Sequence, residues 1–297
     1  MALSGTLAHQ GAHVTQFVGN TDRSGVVVVV GLGGIGGGIA LRLAERGRAV
    51  VGVDVDAARV TDWQLQSGCT GVTSFDDVDW DSAACLIVAV RTARQVETVL
   101  SNNALRPALA REMTVFVVTT LTPADAEHIV GFEQSGRRFE LPVSGGEVRA
   151  RHGELTGLIA GPAVDDFEAE LLVEMFATVF TFDAVGQPSW VKLINNTLAA
   201  HNALHTAVAL TAAHDHGIDV RLASQVVGAS SGSSAAGGAL PTLTDNQVDL
   251  LVKDADLLRG QLQSWPFDPA SLADISARVA HARRLLTSTD TEGAQQQ

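Results

Sequence analysis

Val26-Val27-Val28-Val29-Val30-Gly31-Leu32-Gly33-Gly34-Ile35-Gly36 is the stretch on which the fold turns. Five consecutive valines suit a parallel strand covered on both faces. The strand runs straight into a Gly-x-Gly-x-x-Gly turn. In that pattern Gly31 permits the tight turn, Gly33 lets backbone approach a pyrophosphate, and Gly36 lets the following helix pack on the strand. A helix over 36–46 then points its free N–H groups and the positive end of its dipole at the phosphates. A glycine fingerprint alone is weak evidence, but its surroundings here agree with it. A second apolar run, Ala49-Val50-Val51-Gly52-Val53, follows the helix and ends at Asp54. That carboxylate lies about 20 residues past the glycines, where it accepts hydrogen bonds from the ribose hydroxyls. It also repels a 2′-phosphate, which favours NAD over NADP. Arg59, close by, pulls the other way and keeps NADP open as the less favoured dinucleotide.

Working outward, short apolar runs alternate with helical stretches as far as residue 186. This is the pattern of a doubly wound parallel sheet. Further strands are expected at 84–90, 113–119, 138–141 and 155–160, with 179–182 closing the sheet. The character then changes. From Pro188 to His216 the chain has no glycine and no further proline, which predicts a helix over 188–216. Pro188 suits its first turn and Gly217 its end. At 1.5 Å per residue such a helix is about 40 Å long, so it leaves the first domain and becomes the backbone of a second, all-helical one. Later helices are expected at 220–227, 246–263 and 269–286. The fold class is thus α/β: an N-terminal Rossmann-type doubly wound parallel sheet, a long interdomain helix and a C-terminal all-helical domain. The expected divisions are a loose polar extension at 1–24, a dinucleotide-binding domain at 25–186, a helical substrate and dimerisation domain at 187–286, and a flexible tail at 287–297. The segment 228–234 reads equally as linker or functional loop.

Composition excludes several classes. A net charge of −13, with no Lys/Arg cluster, argues against a nucleic-acid or anionic-membrane surface. No apolar stretch approaches the roughly 18–20 residues of a membrane span, and residues 1–24 lack the features of a secretory signal. Two cysteines, Cys69 and Cys85, without metal-type spacing suit a reducing compartment. The expectation is a cytoplasmic protein with no resident metal.

Lys192 and Asn196 are four positions apart on the long helix, so they share one face, one turn apart. Ala199 and Ala203 on that face leave room in front of it. Asn195 and Asn196 are poor helix-interior residues and need another justification. By spacing alone, Lys192 is either a solvated lysine or a functional one. His201 and His205 also stand i, i+4, but lack the glutamate of a zinc-protease motif and read as packing or solvent-facing residues. The segment Leu141-Pro142-Val143-Ser144-Gly145-Gly146 is a second small-residue turn after a strand, either a simple turn or a nest of N–H groups for a carboxylate.

Together these residues resemble the β-hydroxyacid dehydrogenase family, which includes 3-hydroxyisobutyrate dehydrogenase and tartronate semialdehyde reductase. The resemblance covers about residues 26–285. The family's Gly-Leu-Gly-x-Met-Gly stands here as Gly31-Leu32-Gly33-Gly34-Ile35-Gly36. Its Asp-x-Pro-Val-Ser-Gly-Gly stands as Glu140 to Gly146, followed by Gly153-Glu154-Leu155. Its Gly-x-Gly-x-x-x-Lys-x-x-Asn-Asn runs from Gly186 to Asn196, and a late Lys-Asp pair is Lys253-Asp254. The resemblance implies hydride transfer between a nicotinamide and the CH–OH carbon of a small β-hydroxyacid, or reduction of the corresponding semialdehyde. Lys192 is then the general acid/base. As an ordinary lysine titrates near about 10.4, its basicity has to be lowered by burial for work near neutral pH. Asn196 orients the substrate, while Ser144, Gly145 and Gly146 hold its carboxylate. Lys253 helps to close the cofactor site, and Thr119 and Thr120, with Pro123 behind them, lie near the nicotinamide ribose.

Departures from the pattern concern substrate identity more than reaction type. Val90-Arg91 replaces a Leu-Pro. Arg91 either touches cofactor or substrate or points to water. Pro188 replaces a glycine, Glu140 an aspartate, and Arg149 another glycine. An imine reductase shares the architecture but usually lacks the lysine, as do non-catalytic dinucleotide-binding relatives. A homodimer or homotetramer joined through the helical domains is expected, because a long helix apolar on several sides needs a partner.

Overall fold

The structure is a computed structural model and describes residues 13–15, 25–131, 137–266 and 269–287. Its chain contacts divide it into two compact units, Met1–Lys192 and Leu193–Gln297. The strands in chain order are β1 (His13–Thr15), β2 (Val26–Val30), β3 (Val50–Val53), β4 (Thr70–Val72), β5 (Ala83–Val88), β6 (Thr114–Val117), β7 (Arg138–Glu140), β8 (Val143–Ser144), β9 (Leu155–Ile159) and β10 (Phe176–Thr181). The helices of the first unit are α1 (Gly34–Glu45), α2 (Ala57–Ser67), α3 (Ala93–Leu100), α4 (Arg106–Ala110), α5 (Pro123–Val130), α6 (Gly146–His152) and α7 (Asp166–Met175). Then come α8 (Gln187–Asp215), which crosses the boundary, α9 (Val220–Gly228), α10 (Ala235–Gly238), α11 (Asp245–Gln261) and α12 (Pro269–Thr287).

The first sheet has six strands in the order β4-β3-β2-β5-β6-β7, all paired in parallel. The order reverses between β2 and β5, which is the switch point where such sheets bind ligands beyond the carboxyl ends of their strands. The valine run explains why β2 is central. Val27 and Val29 enter one hydrophobic core with Ile39, Leu43 and Trp63. Val28 and Val30 enter the opposite core with Leu86, Val96 and Val115. Burying each such side chain contributes about 1.5–3 kcal/mol, so the run is anchored from both sides.

Two expectations need correction. The strands expected at 155–160 and 179–182 exist, as β9 and β10, but belong to a second sheet of order β1-β10-β9-β8. That sheet mixes parallel and antiparallel pairing and meets the first through an isolated Glu140–Ala160 bridge. Apolar periodicity predicts strands but not which sheet receives them. In addition, His13–Thr15, inside the expected loose extension, pairs antiparallel with Thr181, Phe180 and Val179, satisfying the edge of β10. The rest of the extension and the tail beyond Thr287 lie outside the described residues.

Among its described residues the second unit contains helices and no strand. Ala200, Ala203, Leu204 and Ala207 of α8 recur at helical spacing and pack with Ile275, Val279, Ala282 and Leu286 of α12. Ala203 is 2% exposed, so its small size serves close packing and does not leave the open space expected in front of that face. His201 is buried beside it, whereas His205 is exposed.

At Gly36 a Cβ would lie 1.9 Å from the Gly31 carbonyl oxygen and 2.7 Å from the Ala89 Cβ. Backbone cannot yield as a side-chain end does. Gly36→Ala is therefore expected to destabilise the first unit by more than about 2 kcal/mol, at the upper end of overpacking costs, as read by urea or thermal unfolding.

Candidate active site

The carboxyl edge of the six-stranded sheet gathers the candidate residues of the first unit. Gly31 to Gly36 follow β2, Asp54 follows β3, Val90 and Arg91 follow β5, Thr119 and Thr120 follow β6, and Ser144 to Gly146 follow β7.

Gly31 has φ +95 and a Cβ there would lie 2.5 Å from the Ala89 carbonyl oxygen, so the turn itself requires glycine. Gly33 differs. Its φ is −68, open to any residue, and an added Cβ would meet nothing nearer than the Arg59 Nη1 at 3.8 Å. The fold does not need a glycine at 33, and the empty space lies at the N-terminus of α1. Leu32 is buried, Ile35 half-buried and Gly34 exposed. A Cβ at Gly34 would lie 2.7 Å from the Glu147 Oε2, which sets a carboxylate beside the turn.

Asp54 is 7% exposed. Its Oδ2 accepts the Leu32 N–H at 2.8 Å and its Oδ1 accepts the Asp56 N–H at 2.9 Å. The carboxylate thus ties the end of β3 to the glycine turn. A carboxylate has about four lone-pair sites, so about two remain open on Asp54. Arg59 reaches both acids, with Nη1 3.8 Å from Asp54 and Nε 3.5 Å from Asp56.

Beyond β5, Arg91 is exposed and its N–H donates to the Gln95 side chain at 3.0 Å. Gln95 also completes a capping box with Thr92 at the start of α3. The buried Thr119 hydroxyl donates to the Val90 carbonyl at 2.8 Å, joining the loops after β5 and β6. Thr120 is half-buried next to it. Pro123 opens α5, whose first turn Thr122 caps.

Ser144 is the central contact. Lys192, 6% exposed, donates from Nζ to the Ser144 Oγ at 3.0 Å. Gly145 and Gly146 follow with φ +137 and +74, a positive-φ pair that glycine adopts readily and that leads into α6. The buried lysine and the small-residue turn predicted from sequence are therefore in contact.

In the second unit a separate cluster surrounds Asn196. Its Nδ2 donates to the Asp254 Oδ2 at 2.6 Å, and the Lys253 Nζ lies 3.0 Å from the Asp254 Oδ1. Asp254 is 3% exposed. Asn195 donates to the Asn196 Oδ1 at 3.2 Å. The two unusual helix asparagines are thus justified by side-chain bonding.

Sequence reasoning missed two carboxylates. Asp254 was read only as the neighbour of Lys253, yet it fixes Asn196. Glu140 was read only as a departure from aspartate. It is 1% exposed and accepts from the Gly186 N–H at 2.6 Å, the Ser189 N–H at 2.8 Å and the Ser189 hydroxyl at 2.5 Å. The available signal was Gly186, a helix start with no side chain to cap the free N–H groups behind it. Among the described residues no group of three or more His, Cys, Asp or Glu stands ready to hold a metal.

Comparison with known proteins bears on family and fold. A family model described as the NAD binding domain of 6-phosphogluconate dehydrogenase matches residues 26–186. L-threonate dehydrogenase of Escherichia coli strain K12 is 30% identical over 275 residues, covering 85% of this chain and 87% of that protein. Human mitochondrial 3-hydroxyisobutyrate dehydrogenase is 28% identical over 207 residues, covering 68% of this chain and 61% of that protein. The crystal structure of 3-hydroxyisobutyrate dehydrogenase from Salmonella typhimurium superposes with a TM-score of 0.75 at 23% identity, over 89% of this chain and 99% of that one. Built on a dinucleotide-binding sheet and a helical second unit, this chain belongs to the β-hydroxyacid dehydrogenase family.

Proposed function

We propose that the protein interconverts a small β-hydroxyacid and its carbonyl form, with Lys192 as general acid/base and NAD as the preferred dinucleotide. The observation that carries this reading is the buried Lys192 amine bonded to the Ser144 hydroxyl, four residues past the end of β7, together with the open space at Gly33 before α1. When bound, the dinucleotide supplies hydride chemistry at the substrate carbon. The chain supplies the rest. Ser144 and the N–H groups of Gly145 and Gly146 hold the substrate carboxylate. Lys192 takes the hydroxyl proton in oxidation and returns it in reduction. Asn196, fixed by Asp254, orients the substrate, and Lys253 and Arg91 serve the cofactor side. Val90, Thr119 and Thr120 line the nicotinamide end. Asp54 receives the ribose hydroxyls, and its charge disfavours a 2′-phosphate. Small hydroxyacids such as those named for its relatives, L-threonate and 3-hydroxyisobutyrate, are the first substrates to try.

Cytoplasmic residence fits the same reading. Among the described residues no helix is long and apolar enough to cross a membrane, both cysteines are free, and burial pushes the Cys85 thiol well up. The helical unit leaves Ile194, Leu198, Leu222 and Val226 about half exposed, and a second copy of the chain covers them in the proposed homodimer.

Three measurements follow from this reading. Nicotinamide absorbance with NAD and NADP against a panel of small β-hydroxyacids should show turnover, faster with NAD. Lys192→Ala should reduce it at least about a hundredfold, the scale of a lost general acid/base; an equally active variant sinks the assignment. Gly33→Ala should melt within about 0.5 kcal/mol of wild type, as substitutions in open space do, while weakening dinucleotide affinity at least about tenfold. Unchanged binding would move the phosphates elsewhere. Sedimentation at micromolar concentration should give a dimer or tetramer, and a monomer removes the proposed partner face.

A further inference from the structure

Glu140 ends β7, and Ser144 lies four residues later. Between them Leu141 is fully buried and Val143 is 8% exposed, so this short segment cannot shift without disturbing the core. Facing it is the first turn of α8. Two rungs join the segments. In the first, the Glu140 carboxylate accepts from the Gly186 and Ser189 N–H groups and from the Ser189 hydroxyl. In the second, Lys192 donates to Ser144. Ser189 and Lys192 are three residues apart and therefore lie on one helix face.

We propose that Glu140 is a positioning residue for Lys192: its carboxylate caps α8 from outside the helix and sets the register of that turn against Ser144, which places the lysine amine. This rests on the reading of Lys192 as the acid/base. Three features support a positioning role over simple stabilisation. Gly186 has no side chain to cap the helix, and the Gly186 and Ser189 N–H groups are met by Glu140. Ser189 is fully buried and spends both its N–H and its hydroxyl on this one carboxylate. Burial also pushes the Glu140 carboxyl above its ordinary pKa, opposed by the three donors and assisted by the nearby Glu127 charge. A charge kept dry in this way is a poor device for stability alone, but it is a stiff and directional one.

The test compares Glu140→Gln, Glu140→Asp and Ser189→Ala with wild type and Lys192→Ala, each as the full-length chain. Three quantities are read: kcat and KM on an accepted hydroxyacid with its pH profile, dinucleotide Kd, and the rate at which an amine-reactive reagent labels Lys192, followed by peptide mass spectrometry. Glu140→Gln keeps the shape but presents an NH2 group where an acceptor is needed. It should lower kcat at least about tenfold, as small displacements of a reacting group do, while dinucleotide Kd stays within about twofold. Lys192 labelling should change at least about threefold in rate, and the pH profile should shift. Glu140→Asp, which keeps the carboxylate, should restore part of each. A folded Glu140→Gln variant with wild-type kcat, pH profile and labelling overturns the proposal. If that variant does not fold, Ser189→Ala decides by the same readouts, since it removes only one hydroxyl. Should Lys192→Ala keep full activity, the acid/base reading fails by itself, while the labelling rates still show whether Glu140 places the amine.

Discussion

The contact between α1 and the turn that precedes it constrains most of the first unit. The helix can begin where it does only because Gly36 has no Cβ to meet the Gly31 carbonyl. That close approach aims the first N–H groups of α1 past the carboxyl end of β2. Asp54 then fastens the same turn to the end of β3 through the Leu32 N–H. Two neighbouring strand ends and a helix start are thereby fixed relative to one another by backbone geometry and one buried carboxylate. The valines of β2 hold this arrangement in place, because alternate side chains enter different cores and a slip of one residue would exchange every one of them.

A second constraint acts at the other end of the sheet. The long helix α8 starts after a glycine, which has no side chain to cap it; the Gln187 N–H meets the Ala184 carbonyl, and Glu140 reaches the Gly186 and Ser189 N–H groups from β7. The same residue forms the bridge to Ala160 that joins the two sheets. One buried side chain therefore sits where the first sheet, the second sheet and α8 meet. Removal would leave buried donors unmet, at about 1–3 kcal/mol each, which is large beside the stability of an ordinary domain.

The features legible in the sequence are those with a local cause. Five valines and three glycines mark β2, its turn and α1. The span without glycine marks α8, predicted at 188–216 and found at Gln187–Asp215. The three later helices expected at 220–227, 246–263 and 269–286 appear within two residues of those bounds as α9, α11 and α12. The second sheet was not legible, because β9 and β10 carry the same apolar signature as the strands of the first. Membership is decided by the crossover geometry after β7, which no local pattern records. β4 is three residues with one glycine, too short to show an alternation. At the site, the motif residues were visible as residues, but their fixing partners were not. Glu140 and Ser189 are far apart in sequence, as are Asn196 and Asp254, and only folding reveals that each pair is bonded.

The candidate polar groups at the sheet edge are already engaged within the protein. Asp54 receives two N–H groups, Thr119 holds the Val90 carbonyl, Gln95 receives the Arg91 N–H, and Ser144 accepts from Lys192. Engagement of this kind does not exhaust them, since a carboxylate and a hydroxyl each retain lone pairs, and the Ser144 hydroxyl still has its own proton to donate. It does fix their directions before a ligand arrives. A site whose dipoles need little reorganisation spends little free energy on orienting them during the reaction, which is the physical basis of electrostatic preorganisation. The fold's own hydrogen bonds and the chemistry proposed for the site are thus served by the same atoms, and that is why the buried carboxylates behind them matter as much as the residues proposed to touch the substrate.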